Sequence, residues 1–255
     1  MSAISRDILM AVAASQEIKD GETAFIGTGL PMVAAYLAKA THAPTVNLVF
    51  ESGIIDPAPI ELASGVGEYK LIYRSTKIAG TFYALSLLQQ GKIDIGFLGT
   101  AEIDAFGNLN STVIGDYRKP KVRLPGSGGA NDIASMAKRF VIIARADPKR
   151  FVEKLSYLTT PGFLTGPGAR EAAGLPGSGP VKVITDLGIL GFDPRSKRMR
   201  LEETFPSVEL ADVQNAIGFK LESYEGTRRA ALPTDHQIRL LKTQIDPHGM
   251  YIKDL

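Results

Sequence analysis

The chain has 255 residues, a length that suits one large domain or two small ones. Its 29 basic and 27 acidic residues leave a net charge of +2, which is too balanced to indicate nucleic-acid binding by bulk electrostatics. The absence of cysteine excludes a disulfide framework, a thiolate nucleophile and a thiolate metal site. No apolar run approaches the ~18 residues of a membrane span, and the first residues lack a signal-peptide pattern, so we expect a cytoplasmic protein without membrane contact.

The first hundred residues alternate between helical and extended patterns. The predicted elements are an amphipathic helix carrying Ile4, Ile8, Ala11 and Val12, a strand over Thr23–Ile26, a helix over Met32–Ala40, a strand over Thr45–Phe50, a helix over Thr81–Gln90 and a strand over Ile93–Leu98. The strand that ends at Phe50 is apolar apart from Thr45 and Asn47, which is typical of a buried parallel strand.

The second half continues the alternation with longer loops. It comprises an extended Val113-Ile114, a glycine-rich loop over Pro120–Asp132, a strand over Arg139–Ala144, a loop over Pro161–Gly179, strands over Val181–Ile184 and Leu187–Phe192, and helices over Leu210–Ile217 and Asp235–Leu241, the last capped by Thr234 or Asp235. The pattern predicts an α/β fold with a mainly parallel sheet flanked by helices. Because no proline-rich polar linker interrupts it, we expect residues 1–255 to form a single domain.

A glutamate stands directly after the second predicted strand, in the sequence Phe50-Glu51-Ser52-Gly53. In open α/β sheets ligands bind beyond the carboxyl ends of the strands, so Glu51 is expected at the ligand crevice. The small residues Ser52 and Gly53 would let a bulky ligand approach the backbone. The alternative is a strand-end glutamate that points into water.

The segment Gly126-Ser127-Gly128-Gly129-Ala130-Asn131-Asp132 is the second candidate. Glycine-rich backbone exposes N–H groups that can form a nest for an anion or an oxyanion. A helix beginning near Asn131 or Asp132 would add its own free N–H groups. The alternative is an ordinary flexible loop.

Other motifs carry less information. Gly27-Thr28-Gly29 resembles half of a dinucleotide fingerprint, but Met32 stands where the third glycine belongs, which favours a simple tight turn. The histidines at 42, 236 and 248 are scattered without metal-ligand spacing, so no metal is expected. The basic pairs Lys197-Arg198 and Arg228-Arg229 suit either the phosphates of a ligand or solvated surface.

Together these segments resemble the family I CoA-transferases, in particular the B subunits of the glutaconate CoA-transferase branch. The resemblance covers nearly the whole chain and depends mainly on Glu51-Ser52-Gly53 and on the loop from Gly126 to Asp132. It is reinforced by Gly27-Thr28-Gly29-Leu30-Pro31, by Gly99 to Thr112, by Lys149 to Phe163 and by Leu232 to Pro247. Glu102 departs from the family, where many relatives have glutamine.

The resemblance implies the CoA-transferase fold and a catalytic role for Glu51, which would carry CoA as a glutamyl thioester. It implies that Ser52, Gly53, Gly126, Gly128, Gly129, Ala130 and Asn131 form the oxyanion and CoA-binding surroundings of Glu51, with the N–H groups of Gly128 or Gly129 as oxyanion donors. It also implies a separate A-type subunit, acyl-CoA and carboxylic acid as substrates, and no tightly bound cofactor, since coenzyme A is itself a substrate.

Three other functions stay open at this point. An acyl-CoA hydrolase would use the same glutamate and loop but admit water in place of the second acid. A non-catalytic partner subunit would tolerate loss of Glu51. A phosphosugar isomerase or ligand-sensing domain is compatible with the fold alone.

Overall fold

The structure, a computed structural model, describes residues 4–222 and 226–253. Its helices are α1 (Arg6–Gln16), α2 (Leu30–Ala40), α3 (Thr81–Gln89), α4 (Ala130–Met136), α5 (Ala169–Ala172), α6 (Leu210–Asn215) and α7 (Asp235–Leu240). Its strands are β1 (Thr23–Ile26), β2 (Asn47–Phe50), β3 (Ile54–Ile55), β4 (Lys77–Ile78), β5 (Ile95–Leu98), β6 (Glu102–Ile103), β7 (Leu109–Asn110), β8 (Val113–Gly115), β9 (Pro120–Arg123), β10 (Arg139–Ile143), β11 (Pro180–Ile184), β12 (Gly188–Phe192), β13 (Met199–Thr204) and β14 (Arg228–Arg229).

The chain forms two compact units, one from residues 1–97 with 232–255 and the other from residues 98–231. The predicted α/β class is confirmed, with sheets that are mixed rather than purely parallel. The expectation that residues 1–255 act as a single domain stays a prediction.

The first unit is built on the parallel strands β1, β2 and β5, with β1 in the middle. β3 and β4 continue the sheet in antiparallel pairing beyond β2. Phe25, Ile26, Leu48 and Phe50 are fully buried, as expected for parallel strands with two covered faces. Pro31 in the first turn of α2 suits a helix start, since the missing N–H has no helical partner there.

The second unit contains the strand order β10, β11, β12, β13, β14, in which the β10–β11 and β13–β14 pairs are parallel and the pairs between them antiparallel. Two hairpins, β6–β7 and β8–β9, lie outside this sheet. The predicted loop over Pro120–Asp132 is wrong at its start, because Pro120–Arg123 pairs with β8 as β9. The strand β13 was not predicted. Only two of its six residues, Met199 and Leu201, are apolar, and that is too few to show the alternation of a half-buried strand.

The last helix confirms the capping prediction for Thr234. The hydroxyl of Thr234 accepts a hydrogen bond from the backbone N–H of Gln237, and the Gln237 side chain accepts one from the Thr234 N–H. This reciprocal pairing satisfies two of the N–H groups left free at a helix start. The helix continues as a π-helical turn over Leu241–Ile245.

Candidate active site

Glu51 lies in the tight turn that joins β2 to β3. The turn is closed by a 2.8 Å hydrogen bond from the Gly53 N–H to the Phe50 carbonyl. Glu51 and Ser52 are partly buried, while Phe50 and Gly53 on either side are buried. No hydrogen-bond or ion-pair partner of the Glu51 carboxylate occurs in residues 4–222 and 226–253. The turn therefore presents a carboxylate beside apolar walls without using it in the fold.

Gly53 fixes this turn by close packing against Gly80. Its φ is 86°, in the left-handed region that glycine tolerates. A β-carbon at this position would fall on the backbone of Gly80, well inside van der Waals contact. The Ala79 N–H also donates to the Gly53 carbonyl over 2.9 Å. Only glycine fits here, and the close fit holds the neighbouring Glu51 in place.

The same sheet edge carries the first glycine turn. Ile26 pairs with Phe50 in parallel register, so Gly27-Thr28-Gly29 leaves β1 beside the point where Glu51 leaves β2. Gly29, with φ of 85°, precedes the first residue of α2. The Ser52 hydroxyl is buried, and no partner for it exists in the described parts of the chain. A buried hydroxyl without a partner calls for an explanation, and this one lies next to an unpaired carboxylate.

The glycine loop belongs to the second unit and runs from the end of β9 into α4. Gly126 and Gly128 have φ values of 95° and 49°. Helix α4 begins at Ala130, one residue before the expected start, and the Ser127 hydroxyl accepts from the Asn131 N–H at 3.1 Å. The N–H groups of Ser127, Gly128 and Gly129 have no acceptor in the region that the structure describes. Three consecutive N–H groups are therefore free to donate, and the expectation that they form a nest for an anion stays a prediction.

Side chains anchor both ends of this loop. Ser111 and Gly126 exchange two hydrogen bonds of 2.8 Å, one from the Gly126 N–H to the Ser111 carbonyl and one from the Ser111 hydroxyl to the Gly126 carbonyl. At the helix end the Asn131 side-chain amide donates to the Thr159 carbonyl over 2.9 Å. The buried Thr159 hydroxyl accepts from the Ser111 N–H and pairs with the hydroxyl of Thr112. Sequence reasoning missed these anchors, because threonine and serine in loops carry no pattern of their own.

Thr159 and Thr160 offer a matched pair of tests for this anchoring. Both are buried, but the Thr160 hydroxyl has no hydrogen-bond partner within the described ranges. Thr159→Val should lower the free energy of unfolding by about 1–3 kcal/mol, because it leaves the Ser111 N–H unsatisfied. Thr160→Val should be neutral or slightly stabilising. Urea unfolding of both variants checks the difference, and equal losses would contradict the anchoring role.

The Gly99–Thr112 motif forms a buried structural cluster. The Glu102 carboxylate accepts from the Asn110 amide and from the N–H and hydroxyl of Ser156, at 2.7–2.8 Å. Asn108 donates to Asp104 and accepts from the N–H groups of Gly162 and Leu164. Burial raises the pKa of Asp104, and hydrogen bonds from Asn108 and Phe106 oppose that shift. These contacts give the motif a structural role within the second unit.

The arginines of the two basic pairs considered for phosphate binding are engaged within the fold. Arg228 pairs with Glu203 at 3.1 Å, and Arg229 donates to Glu209, to Thr204 and to main-chain carbonyls. Arg198 lies 3.9 Å from Glu222. Within residues 4–222 and 226–253, no group of three or more acidic or histidine side chains could hold a metal ion. In the same ranges no helix is long and apolar enough to cross a membrane.

The first unit also exposes an apolar groove of about 530 Å³, lined by Ile60, Glu61, Tyr69, Lys70, Ile72 and Tyr73. Ile60 and Tyr69 are each 75% exposed, which is high for large apolar side chains. Tyr69 and Ile72 lie on one 3-10 helical turn. Exposed apolar patches of this kind are typical of surfaces that bind a partner or a ligand.

Comparison with known proteins places the chain in a family. The family model described as coenzyme A transferase matches residues 8–216. The chain is 41% identical to the B subunit of the 3-oxoadipate CoA-transferase of Pseudomonas knackmussii, covering 95% of this chain and 94% of the relative. It is 39% identical to the B subunit of the glutaconate CoA-transferase of Acidaminococcus fermentans, covering 96% of this chain and 94% of the relative. The crystal structure of glutaconate coenzyme A-transferase from the same organism superposes with a TM-score of 0.93 at 36% identity, covering 99% of this chain and 98% of that chain.

Proposed function

Because the chain belongs to the coenzyme A transferase family, we propose that it is the catalytic B subunit of an enzyme that moves CoA from an acyl-CoA to a carboxylic acid. Glu51 is the proposed nucleophile. The acids belong to the glutaconate or a related type, in keeping with the acids named in the two relatives. Coenzyme A is a substrate in this reaction, and no tightly bound cofactor takes part. The cytoplasmic location expected from the sequence stays a prediction.

The position of Glu51 is the observation that carries this proposal. Its carboxylate is partly exposed and unpaired, within the described residues, at the carboxyl end of a buried strand, where α/β sheets bind ligands. Its turn is held by the glycine-on-glycine packing of Gly53 and Gly80. A strand-end glutamate that only pointed into water would not require a turn held in one geometry by such close packing.

The proposed reaction proceeds through covalent intermediates on Glu51. A Glu51 oxygen attacks the thioester carbonyl, the carbon–sulfur bond breaks, CoA thiolate leaves, and an acyl-glutamyl anhydride forms. The thiolate then attacks the glutamyl carbonyl and expels the acyl carboxylate, leaving a glutamyl-CoA thioester. The incoming acid takes CoA by the reverse sequence. Covalent catalysis divides one difficult exchange into easier steps.

Each addition creates a tetrahedral oxyanion that requires donors. The free N–H groups of Gly128 and Gly129 are the proposed donors, and an oxyanion-hole donor contributes about 3–4 kcal/mol of transition-state stabilisation. Ser52, Gly53, Gly126, Ala130 and Asn131 are proposed to shape the surroundings. The anchoring of the loop by Ser111 and Thr159 supports this, because such donors work best when held rigid beforehand.

A separate A-type subunit completes the proposed enzyme. Both relatives described above are named as B subunits, which implies a partner. The exposed groove around Ile60, Tyr69 and Ile72 supports a protein partner on the first unit. A covering subunit would also keep water from the hydrolysable anhydride.

The groove yields a testable consequence for assembly. The double change Tyr69→Ser with Ile72→Ser should make association with the A-type subunit weaker, by about 30-fold or more, because buried aromatic anchors dominate interface energies. The exposed Leu232 and Met250 serve as a matched control pair when changed to serine. Co-purification with a tagged A-type subunit measures the effect. Undiminished co-purification of the Tyr69/Ile72 variant, with normal thermal unfolding of the isolated chain, would contradict the assignment.

The requirement for an acceptor acid distinguishes transfer from hydrolysis. We expect the purified complex to release stoichiometric free CoA from an acyl-CoA only slowly, and to form a new acyl-CoA rapidly when a carboxylic acid is added. CoA release at an undiminished rate without acceptor would favour the acyl-CoA hydrolase. Binding of a sugar phosphate with no response to CoA would favour an isomerase-like function.

A further inference from the structure

The hairpin formed by β8 and β9 carries an unusual concentration of unpaired positive charge. Arg118, Lys119, Lys121 and Arg123 are all exposed, and none has an ion-pair partner in the chain as described. The hairpin's acidic residue, Asp116, is used locally, because its carboxylate accepts from the N–H groups of Arg118 and Lys119 at 2.8 and 2.9 Å. Against this single carboxylate, the four cations leave a net charge of +3 over residues 116–123, and the resulting positive field attracts a multiply charged anion.

Two aromatic rings stack beside these cations. The centroids of the Tyr117 and Tyr157 rings are 5.4 Å apart, and the two ring planes form an angle of 23°. The Arg123 guanidinium lies 4.9 Å from the centroid of the Tyr117 ring. Arg123 also donates to the Tyr117 carbonyl at 3.1 Å, which fixes the arrangement. Tyr117 is 54% exposed and Tyr157 39%, so the stack still presents aromatic surface to solvent. Aromatic faces next to cations suit a base that carries phosphates.

The hairpin and the glycine loop form one continuous element. Hydrogen bonds from Leu124 N–H to Thr112 and from Gly126 N–H to Ser111 extend the hairpin pairing into the loop. The chain from Arg123 to Gly128 spans at most about 18 Å when extended. A ligand with its reactive group at Gly128 and a phosphate at Arg123 therefore needs an arm of no more than about 18 Å between them, and coenzyme A has such an arm in its pantetheine chain.

We propose that the β8–β9 hairpin and Tyr157 bind the 3′-phosphorylated adenosine diphosphate end of coenzyme A. The cations Arg118, Lys119, Lys121 and Arg123 neutralise its phosphates, and the Tyr117–Tyr157 stack supports its adenine. This assignment depends on the proposed function for its ligand. In this assignment the hairpin binds the nucleotide end of coenzyme A, while Glu51 reacts with the acyl thioester at the other end.

A truncated substrate tests the assignment in the assembled complex. Arg118→Gln with Lys119→Gln should raise the KM for an acyl-CoA by about 10-fold or more with little change in kcat, because charge-assisted contacts to phosphate are lost. The same variant should leave the kinetics with the matching acyl-pantetheine unchanged, since that substrate lacks the nucleotide. Lys92→Gln with Lys220→Gln removes two exposed charges elsewhere and should alter neither substrate. Equal effects on both substrates, or none on either, would overturn the proposal.

Direct binding separates this proposal from the proposed function. Adenosine 3′,5′-bisphosphate should bind the wild-type complex with an affinity that falls as salt rises, and the Arg118/Lys119 variant should bind it about 10-fold or more weakly. That result would support the hairpin site even if no acyl-CoA were turned over. Absence of binding by the wild-type complex, or unchanged binding by the variant, would overturn the site while leaving the role of Glu51 to be judged by its own test.

Discussion

Replacing Glu51 with glutamine should reduce CoA transfer by about 10⁴-fold or more. Glutamine preserves the size of the side chain but cannot attack a thioester to form an anhydride. Because the Glu51 carboxylate has no hydrogen-bond or ion-pair partner in residues 4–222 and 226–253, its removal should cost the fold little. We therefore expect a stable, assembled and inactive complex. Steady-state transfer rates and thermal unfolding of the same preparation measure both effects.

Glu153→Gln provides the matched control for this change. Glu153 is exposed in the second unit and is expected to carry no function, so its variant should retain full transfer activity. If Glu51→Gln kept more than about a hundredth of the wild-type rate, the carboxylate would be an electrostatic or positioning group and the covalent mechanism would be wrong. If it kept nearly all of the rate, the chain would be a non-catalytic partner.

Gly53→Ala should be among the most destabilising single changes in the first unit. The new β-carbon would meet the Gly80 backbone, and the residue would have to hold a φ of 86°. Overpacking and left-handed strain together predict a loss of about 2–5 kcal/mol in the free energy of unfolding, or a displaced turn. A displaced turn would move Glu51, so transfer activity should fall as well. Denaturant unfolding and transfer rates check the two effects.

Gly21→Ala isolates the backbone part of that cost. Gly21 has a similar φ of 78°, but a β-carbon there would meet nothing within 4 Å. Its variant should lose only about 1 kcal/mol and keep full activity. Similar losses for the two variants would mean that the packing of Gly53 on Gly80 contributes nothing beyond conformational strain.

The buried parallel strands were predictable because short apolar runs bounded by glycine and polar residues define them locally. β1 was predicted with its observed bounds, and β2 and β5 within two residues. Helix α2 began two residues earlier than expected because Pro31 occupies its first turn. The family resemblance that depends on Glu51-Ser52-Gly53 and the glycine loop is confirmed by the matching family model and by the close relatives.

Features made by distant contacts were not predictable. β9 contains Lys121 and Arg123 and becomes a strand only through pairing with β8. The anchoring of the glycine loop by Thr159 joins residues far apart in sequence, and the Tyr117–Tyr157 stack likewise depends on tertiary structure. The basic pair Arg228-Arg229 was visible in the sequence, but its engagement with acidic and main-chain groups was not.

Trapping the covalent intermediate tests the central claim most directly. The complex is incubated with an acyl-CoA without acceptor acid, reduced with borohydride or digested directly, and the peptides are mapped by mass spectrometry. The proposed mechanism predicts CoA attached to Glu51 as a thioester before reduction, and conversion of that side chain to the alcohol after it. An unmodified Glu51 peptide in a preparation that transfers CoA to added acid, under conditions in which the thioester should accumulate, would contradict it.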